Sequence, residues 1–523
     1  MRTAGSPRPG ASSGRRSRGG VRRSETRGRR PCSEWGRRAS GRSTVRAAAL
    51  GAALLLVTVP TVAAAQAPGR ATVESLTWPE LRFDPPRPEE RRLSNGVTVF
   101  FLRDPSLPLV DVQARFGGGW GRYPREFYAA GSALPSLLRR GGTRTRSPDS
   151  VSHALEYLAV QTSFGGSGES VTSTMNTLVD RLPEALDLWA EMLREPAFDE
   201  AQVTVWRDRE MESVLRRQDD PGRLAFSEFN KLLYGDHPVG WEMAPEDLEP
   251  ERLNRERLEW LHARVLCPEN LLLGVSGDVT WDQLRPLLEA ELAEWPACPE
   301  PLPPPPGARV GAPPGVYLIP RPVNQSSVVV AHTADLQQGD TPDYFASRIG
   351  NAILGAGGFS SRLLGRIRTE EGLAYGAASV WTTPRRYDGL LGATTRTRTD
   401  ATVRVIEIIL ETLGSMAETP AAEDEVRTAV DEWVNGWVFN FESPSRIVSR
   451  IMAFRASDLP DDWLERYLEG IQGVTPARIQ EVFREHLRLD DMVILVVGDP
   501  DVLEESLEVL GPVTLLEVDP RGG

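Results

Sequence analysis

The sequence predicts an α+β fold of two homologous domains, each an antiparallel-rich sheet covered by helices on one face. Three observations support this: an apolar strand ending in Gly-Asp occurs twice, a helical pattern follows each copy, and a Pro/Gly-rich segment separates the copies. The first copy is NLLLGVSGDVT (270–280), and the second is MVILVVGDP (492–500). Their glycines, Gly277 and Gly498, are 221 positions apart, which is a plausible domain length.

The segments around these strands fit the same pattern. GVTVFFLRD and LVDVQARFGGG alternate or cluster apolar residues as strands do. RLPEALDLWAEMLREP and EAQVTVWRDREMESVLRRQDDP space them helically and end before proline, and WDQLRPLLEAELAEW and DVLEESLEVL are helical after the Gly-Asp strands. Paired strands followed by long helices are typical of a sheet with a helical layer.

The segment PACPEPLPPPPGARVGAPPG (296–315) contains too much proline and glycine for a helix or a central strand, so it predicts a linker. We therefore expect four regions. They are a basic leader with a secretory signal peptide (1–66), a first domain (78–296), a Pro/Gly linker (297–313) and a second domain (314–518).

The leader indicates export. VRAAALGAALLLVTVPTVAAAQA has a positive flank, an apolar run at about 47–60 and small residues at 63–65, as cleaved signal peptides do. The run is short for a membrane-spanning helix. We expect a periplasmic or secreted protein with no membrane attachment after cleavage. The basic region is unusually long, which suggests a downstream translation start that N-terminal sequencing would identify.

Charge argues against nucleic acid as a partner. Residues 1–66 contain 14 Arg and 2 Glu, whereas the rest has 46 basic and 71 acidic side chains, a net charge of −25. Such a chain repels phosphates and anionic membrane surfaces. Outside the leader, the two cysteines are Cys267 and Cys298. Export would permit them to pair, but two cysteines in so long a chain are more often unpaired, and the sequence leaves this open.

Several motifs, in order, resemble the insulinase/pitrilysin-type zinc peptidases, also called inverzincins. They are LSNGVTVFFLRD, a helix of the form G-x-A…G-T, the loop YGDHPVGW, the strand ends SGD and VVGD, and LLGRIRTEEGLAY. Each is weak alone, but the order and spacing are specific and cover nearly all of the chain after the leader. The resemblance implies the metallopeptidase LuxS-like fold in both domains.

The resemblance places the zinc motif H-x-x-E-H of active members on GSALPSLLRRGGT. In that motif two His hold zinc and the Glu acts on the metal-bound water. The His positions are Leu134 and Leu138 here, the Glu position is Leu137, and the third ligand falls near Glu212 or Ser213. Because leucine binds no metal and transfers no proton, we expect no metal or cofactor in this chain, with zinc in a partner subunit.

The five histidines do not replace that motif. HALEY at His153 has H-x-x-E but ends in tyrosine and lies one helix too late. His237, before a proline, matches a loop histidine of the family that is not a ligand. His262, His332 and His486 are isolated in sequence, and we expect structural or surface roles for them.

The second half keeps a different motif of the family. RIRTEEGLAYGAASVW places Arg368 and Tyr375 around a Gly-Leu-Ala turn, and the resemblance implies that this pair contacts substrate. A guanidinium and a phenol can donate hydrogen bonds to peptide carbonyls or to a developing oxyanion. From the spacing alone, a surface ion pair for Arg368 and strand packing for Tyr375 would be the simpler interpretation.

Gly355, Gly357 and Gly358 lie together in LGAGGFSSRLL, just upstream. Such glycines let a backbone approach a ligand or flex. A longer glycine-rich loop at the matching place handles substrate in the non-catalytic subunit of mitochondrial processing peptidases. The alternative is a tight turn opening the helix of Arg362. No Gly-Lys-Ser/Thr follows, so this is not a phosphate loop.

The resemblance therefore implies an exported, zinc-less subunit of a two-chain insulinase-like metallopeptidase, inactive alone. A homologous H-x-x-E-H-bearing partner would supply zinc in a heterodimer, while this chain binds extended peptide substrate. A non-catalytic peptide-binding or scaffold protein of the same fold is the alternative, and an active peptidase with an unconventional metal site is a third possibility. The sequence specifies neither the peptide substrate nor the partner's identity.

Overall fold

The computed structural model describes residues 84–307 and 312–518, which lie in one compact unit, Leu81–Gly523. The predicted leader and signal peptide (1–66) lie outside the described residues. Within the described ranges, every helix is too short or too polar to cross a bilayer.

Twelve described strands form two six-stranded sheets. The strands are β1 (Glu89–Arg92), β2 (Thr98–Arg103), β3 (Leu109–Gly117), β4 (Gln161–Gly166), β5 (Ser170–Leu178), β6 (Leu271–Gly277), β7 (Gly315–Pro320), β8 (Gln325–Ala334), β9 (Ala377–Trp381), β10 (Gly389–Arg398), β11 (Val493–Gly498) and β12 (Val513–Leu515). The orders are β1-β2-β6-β3-β5-β4 and β12-β7-β11-β8-β10-β9. Most neighbours are antiparallel; β2–β6, β7–β11 and β7–β12 are parallel.

The helices follow the strands in chain order. They are α1 (Tyr128–Arg140), α2 (Pro148–Tyr157), α3 (Leu182–Arg194), α4 (Glu200–Arg216), α5 (Pro221–Tyr234), α6 (Arg255–Val265), α7 (Trp281–Leu292), α8 (Pro342–Asn351), α9 (Thr402–Glu418), α10 (Glu423–Val438), α11 (Pro444–Ala456), α12 (Trp463–Gln472), α13 (Pro476–His486) and α14 (Pro500–Leu507). A short helix, Arg362–Leu364, lies between two π-helical turns, Ala352–Ala356 and Gly365–Glu370. The strands and helices predicted from the apolar patterns are present, and the predicted fold class is confirmed.

Each sheet has one face packed on helices of its own half. In β2, Val99 and Phe101 point into the first core, whereas Phe100 belongs to a separate cluster on the opposite face. In β11, Ile494 and Val496 pack into the second core, and their neighbours along the strand pack on the other side. Alternation with a period of two explains this, because successive side chains of a strand leave opposite faces. Both faces of these strands are therefore apolar.

The second face of the C-terminal sheet is covered by α5, a helix of the N-terminal half. Asp220 caps this helix by accepting hydrogen bonds from the backbone N–H groups of Gly222 and Arg223. Its apolar side packs on β7, β8 and β11 through a buried set of five residues: Leu224, Ala225, Phe229, Leu233 and Tyr234. The Tyr234 hydroxyl also donates to the carbonyl oxygen of Asp388 at 3.0 Å.

The second face of the N-terminal sheet is covered in the same way by α11, a helix of the C-terminal half. Val448 and Met452 of α11 pack on Phe100, and a Cβ at Gly274 of β6 would overlap both α11 side chains. The side-chain amide of Gln113 donates to the Ser445 carbonyl oxygen at 2.9 Å. Each half thus contributes one helix to the sheet of the other half. The two helices occupy equivalent places in the repeat, since α5 and α11 begin 223 positions apart, close to the repeat offset.

Two findings go beyond the sequence analysis. The helical layer on one face of each sheet was predicted, but the exchanged helix on the other face was not. Cys267 and Cys298 form a disulfide, although unpaired cysteines were the more common expectation for so long a chain. The predicted domain boundaries remain a prediction, since 81–523 forms one compact unit.

The exchanged helix gives a direct stability test. Phe229 on α5 is fully buried, whereas Phe226 on the same helix is 37 % exposed. We expect Phe229→Ala to lower the free energy of unfolding by about 3–5 kcal/mol, because a buried ring is lost and a cavity remains. Phe226→Ala should cost less than about 1 kcal/mol. Urea unfolding of the two variants measures this, and equal losses would contradict the packing of α5.

Candidate functional site

The structure brings the predicted pair Arg368 and Tyr375 into contact. Arg368 lies in the π-helical turn Gly365–Glu370, and the chain then reverses at Gly372, whose φ of +64° favours glycine. The Arg368 guanidinium carbon lies 4.7 Å from the centroid of the Tyr375 ring, a cation–π contact. Tyr375 is 85 % exposed, so its hydroxyl is accessible from solvent.

Tyr375 borders a surface groove of about 470 Å³, which we call the Tyr375 groove. Its walls come from the 372–376 turn and the end of β10, and its lining residues are Gln325, Gly372, Leu373, Ala374, Tyr375, Gly376, Arg396, Thr397 and Arg398. A second groove of about 510 Å³ shares Gly376 and Arg396 with it and is walled by Arg223 and Phe226 of α5. The exchanged helix therefore forms one wall of the surface next to the Arg368–Tyr375 pair.

The strand that follows Tyr375 lies at a sheet edge. Among the described residues, β9 pairs only with β10, in the register Ser379 to Ala393. An edge strand presents backbone N–H and C=O groups that an extended peptide can pair with. The donor pair and a possible peptide-pairing edge are thus adjacent in the chain.

The three predicted glycines have local structural explanations. A Cβ at Gly355 would overlap Ser379 of β9, and one at Gly357 would lie 2.6 Å from the Ala352 carbonyl oxygen. Gly358 has a φ of +67°, a left-handed conformation that glycine adopts at low cost. These contacts favour the tight-turn interpretation. A substrate-binding role for the glycines remains a prediction.

The leucines at the expected zinc positions are core residues. Leu134, Leu137 and Leu138 lie on α1 and are each 1 % exposed in the main hydrophobic cluster. Their helix packs against β4, α4 and α6. Glu212 and Ser213, near the expected third ligand, are exposed, and Glu212 forms an ion pair with Arg216 at 2.6 Å. This donor set does not fit a zinc ion, because leucine has no metal-binding atom.

A different acid occupies the inward side of α4. Glu210 shares a helical stripe with the buried residues Val203 and Val214, spaced seven and four positions away. Burial raises the pKa of Glu210, and the charge of Arg217 partly offsets this. Glu210 was not among the residues predicted from the sequence. Its spacing from Val203 and Val214 nevertheless places it on the inward-facing side of α4.

Four of the five histidines have hydrogen-bond or ion-pair partners within the described fold. His153 is exposed on α2. The Nε2 atom of His237 lies 3.2 Å from the Pro306 carbonyl oxygen, and that of His262 lies 2.7 Å from the Leu193 carbonyl oxygen.

Two further histidines lie in the C-terminal half. His332 Nε2 accepts from the Arg488 backbone N–H at 3.1 Å. His486 is less isolated than its sequence suggested, since its Nδ1 lies 2.9 Å from a carboxylate oxygen of Asp335.

Two side-chain groups have the composition of metal ligands. Asp343, Glu485 and His486 present ligand atoms within 4.8 Å of one another, but Arg478 forms an ion pair with Asp343. Cys267 and Cys298 lie beside Glu269, but the disulfide removes both thiolates that would bind an ion. Neither group lies on α1 or α4, the helices of the expected zinc site.

Comparisons with known proteins agree with the family resemblance inferred from the sequence motifs. Residues 252–432 match a family model described as the Peptidase M16 inactive domain. A Streptomyces coelicolor protein named as an uncharacterized zinc protease is 28 % identical over 68 % of this chain and 77 % of its own length. A Helicobacter pylori protein named Non-peptidase homolog YmxG is 21 % identical over 77 % of this chain and 92 % of its own length.

Solved structures have the same fold. A peptidase M16 inactive domain from Pseudomonas fluorescens aligns with a TM-score of 0.69 at 23 % identity, covering 79 % of this chain and 98 % of that one. A Helicobacter pylori protease aligns with a TM-score of 0.68 at 16 % identity, covering 79 % and 100 %. The predicted family resemblance is confirmed by the match of residues 252–432 to the Peptidase M16 inactive domain and by these similar proteins.

The buried histidines predict a pH dependence of stability. Burial lowers the pKa of His262 and of His332, so both stay neutral in the folded chain. In the unfolded chain they take up protons below about pH 6.5. This contribution to stability is therefore complete above this pH and is lost progressively as the pH decreases toward 5.

Urea unfolding at pH 7.5 and 5.5 measures this difference. His262→Gln should reduce it, whereas His153→Gln, a change at an exposed histidine, should leave it unchanged. Equal pH dependence in the His262 variant and the parent would show that this imidazole is not held neutral by burial.

Proposed function

We propose that this chain is the zinc-less subunit of a two-chain metallopeptidase, with a homologous H-x-x-E-H-bearing subunit as its partner. The main support is that Arg368 and Tyr375 are in contact at an exposed groove, while leucines fill the expected zinc positions. A chain with donors for a peptide but no ligands for the catalytic ion needs a second chain to supply that ion. Residues 252–432, which include Arg368 and Tyr375, match the Peptidase M16 inactive domain.

The proposed role of the pair is to hold the substrate backbone. The Tyr375 hydroxyl and the Arg368 guanidinium both donate hydrogen bonds, and peptide carbonyl oxygens accept them. Stacking on the ring fixes the direction of the guanidinium, which reduces the entropy lost when it binds. Holding the scissile bond near the partner's zinc lowers the cost of attack, and a donor aimed at the oxyanion stabilises the transition state.

The proposed substrate is an extended peptide that pairs with the free edge of β9. Such pairing uses backbone groups, so it tolerates many sequences. Export to the periplasm or the exterior forms part of this proposal and is supported by the predicted signal at 1–66. The disulfide also supports it, because such bonds persist in oxidising compartments.

A second candidate is a peptide-binding or scaffold protein without any peptidase partner. The match to an inactive domain supports this candidate equally. The two functions differ in one outcome, which is whether peptide cleavage by a homologous zinc-binding chain depends on this one.

Reconstitution distinguishes the two candidates. We expect the purified chain to cleave no extended peptide, because α1 offers no group that binds zinc or activates water. Addition of the co-purifying H-x-x-E-H chain should then give or raise cleavage, measured with a fluorogenic peptide library. Cleavage by the partner that is indifferent to this chain favours the scaffold function. Cleavage by this chain alone contradicts both candidates.

Substitution of the pair tests the site itself. In the reconstituted enzyme, Arg368→Ala should lower kcat/KM by about ten- to a thousandfold, as expected for loss of a positioning or oxyanion donor. Tyr375→Phe, which keeps the ring, separates the hydroxyl's contribution from that of stacking. The control is Arg366→Ala, from the same π-helical turn, whose guanidinium pairs with Glu411 at 2.6 Å instead. Unchanged kinetics in Arg368→Ala would make Arg368 a surface residue.

A further inference from the structure

A separate pocket of about 250 Å³ lies where both halves meet the linker, and we call it the linker pocket. Its walls are the loop after β3, the β4–β5 turn, the loop after α5 and the β9–β10 turn, with linker prolines completing the lining. The lining residues are Trp120, Gly121, Arg122, Ser167, Gly168, Glu169, His237, Pro238, Val239, Pro305, Pro306, Arg386 and Tyr387. None of them belongs to the Tyr375 groove.

The charges of the linker pocket favour an anion. Two arginines, Arg122 and Arg386, line it with a single carboxylate, Glu169. Arg122 Nη1 donates to the Pro303 carbonyl oxygen at 2.6 Å, while its Nε is buried without a hydrogen-bond partner. Burial is the larger cause that lowers the pKa of Arg122. The positive charge of Arg386 lowers it further, because the two guanidinium groups lie close together. The lining therefore has one surplus positive charge in a chain whose net charge is −13.

The positive charge of Arg386 is only weakly neutralised by its ion pair with Asp458. Its Nη2 atom lies 3.4 Å from a carboxylate oxygen of Asp458, whose side chain is 74 % exposed. An exposed pair at this distance contributes little to stability. A bound monoanion would therefore gain more from Arg386 than the present ion pair does.

The other walls are apolar and fixed. The Trp120 ring stacks on Trp241 with centroids 5.9 Å apart, and Tyr387 lies 5.4 Å from His237. His237 accepts a hydrogen bond from the Val239 backbone N–H at Nδ1, so Nε2 carries the hydrogen donated to Pro306. Both ring nitrogens are therefore engaged by backbone groups, and the imidazole contributes a flat surface to the pocket.

We propose that the linker pocket binds a small organic carboxylate with an aromatic body. The arginines match a monoanion, and Trp120, Tyr387 and the prolines match a flat apolar group. The volume of about 250 Å³ is just below the usual range for ligand pockets, which restricts the ligand to about one aromatic residue with its carboxylate. That chemistry occurs both in free aromatic acids and at the C-terminus of a peptide. The inference does not depend on peptidase function.

Calorimetric titration of the whole mature chain tests this. N-acetylphenylalanine should bind, and N-acetylphenylalanine amide, which has the same body without the charge, should bind at least about tenfold more weakly. N-acetyl-Gly-Gly-Phe with a free carboxylate distinguishes the two sources: tighter binding than the single residue assigns a peptide C-terminus, and weaker binding assigns a free acid. Equal binding of acid and amide, or no binding of either at millimolar concentration, would overturn the proposal.

A matched pair of variants locates the site. Arg386→Gln should weaken binding of N-acetylphenylalanine by about tenfold. The adjacent Arg385 does not line the pocket and donates to the Asp458 carbonyl oxygen, so Arg385→Gln, with the same change in charge, should bind normally. Equal weakening in both would show a general charge effect and overturn the site. Thermal unfolding without ligand checks that both variants fold. The comparison of acid and amide uses the unsubstituted chain, so it tests the proposal even if a variant does not fold.

Discussion

The structure depends on the exchange of one helix between the two halves. A sheet whose strands are apolar on both faces cannot leave one face in water without losing about 25 cal/mol for every Å² of apolar surface exposed. Each half meets this requirement with a helix of the other, α5 on the C-terminal sheet and α11 on the N-terminal one. Neither half can complete its core alone, which agrees with the single compact unit of 81–523.

The same exchange shapes the candidate site. Arg368, Tyr375 and β9 all belong to the C-terminal half. The second groove, which shares Gly376 and Arg396 with the Tyr375 groove, is walled by Phe226 and Arg223 of the N-terminal half. The site surface is therefore a product of the packing between the halves. A change in the seating of α5 would alter this surface without touching the donor pair.

Replacement of metal ligands by leucine has a plain physical consequence for α1. Ligand side chains need solvent or a second layer of hydrogen bonds around them, whereas Leu134, Leu137 and Leu138 need only close packing. The helix therefore joins the core, at 1 % exposure for each leucine. On α4, which packs against α1, burial raises the pKa of the Glu210 carboxyl.

The features that could be predicted from the sequence are those that depend on residues close together in the chain. The Gly-Asp strands and the helices beside them depend on short spacings, so they could be predicted from the sequence. The motif of Arg368 and Tyr375 was also visible there, but the cation–π contact between the two side chains was not predicted. The exchange of α5 and α11 depends on partners more than 80 residues away in sequence, such as Phe229 with Leu495, for which no local pattern exists. Glu210 could have been identified from the sequence, because it lies seven positions after Val203 and four before Val214 on one face of α4.

The disulfide between Cys267 and Cys298 restrains the segment that joins the two halves. It fastens the start of that segment to the loop before β6, while Arg122 and His237 hold the carbonyls of Pro303 and Pro306 further along. Covalent attachment of this kind exists only where thiols are oxidised. In a reducing environment the proline-rich segment would lose this covalent attachment. It would then be held by noncovalent contacts only, such as the two hydrogen bonds above and the ion pair of Arg264 with Glu300. The redox state of the surroundings therefore sets how firmly the segment is attached.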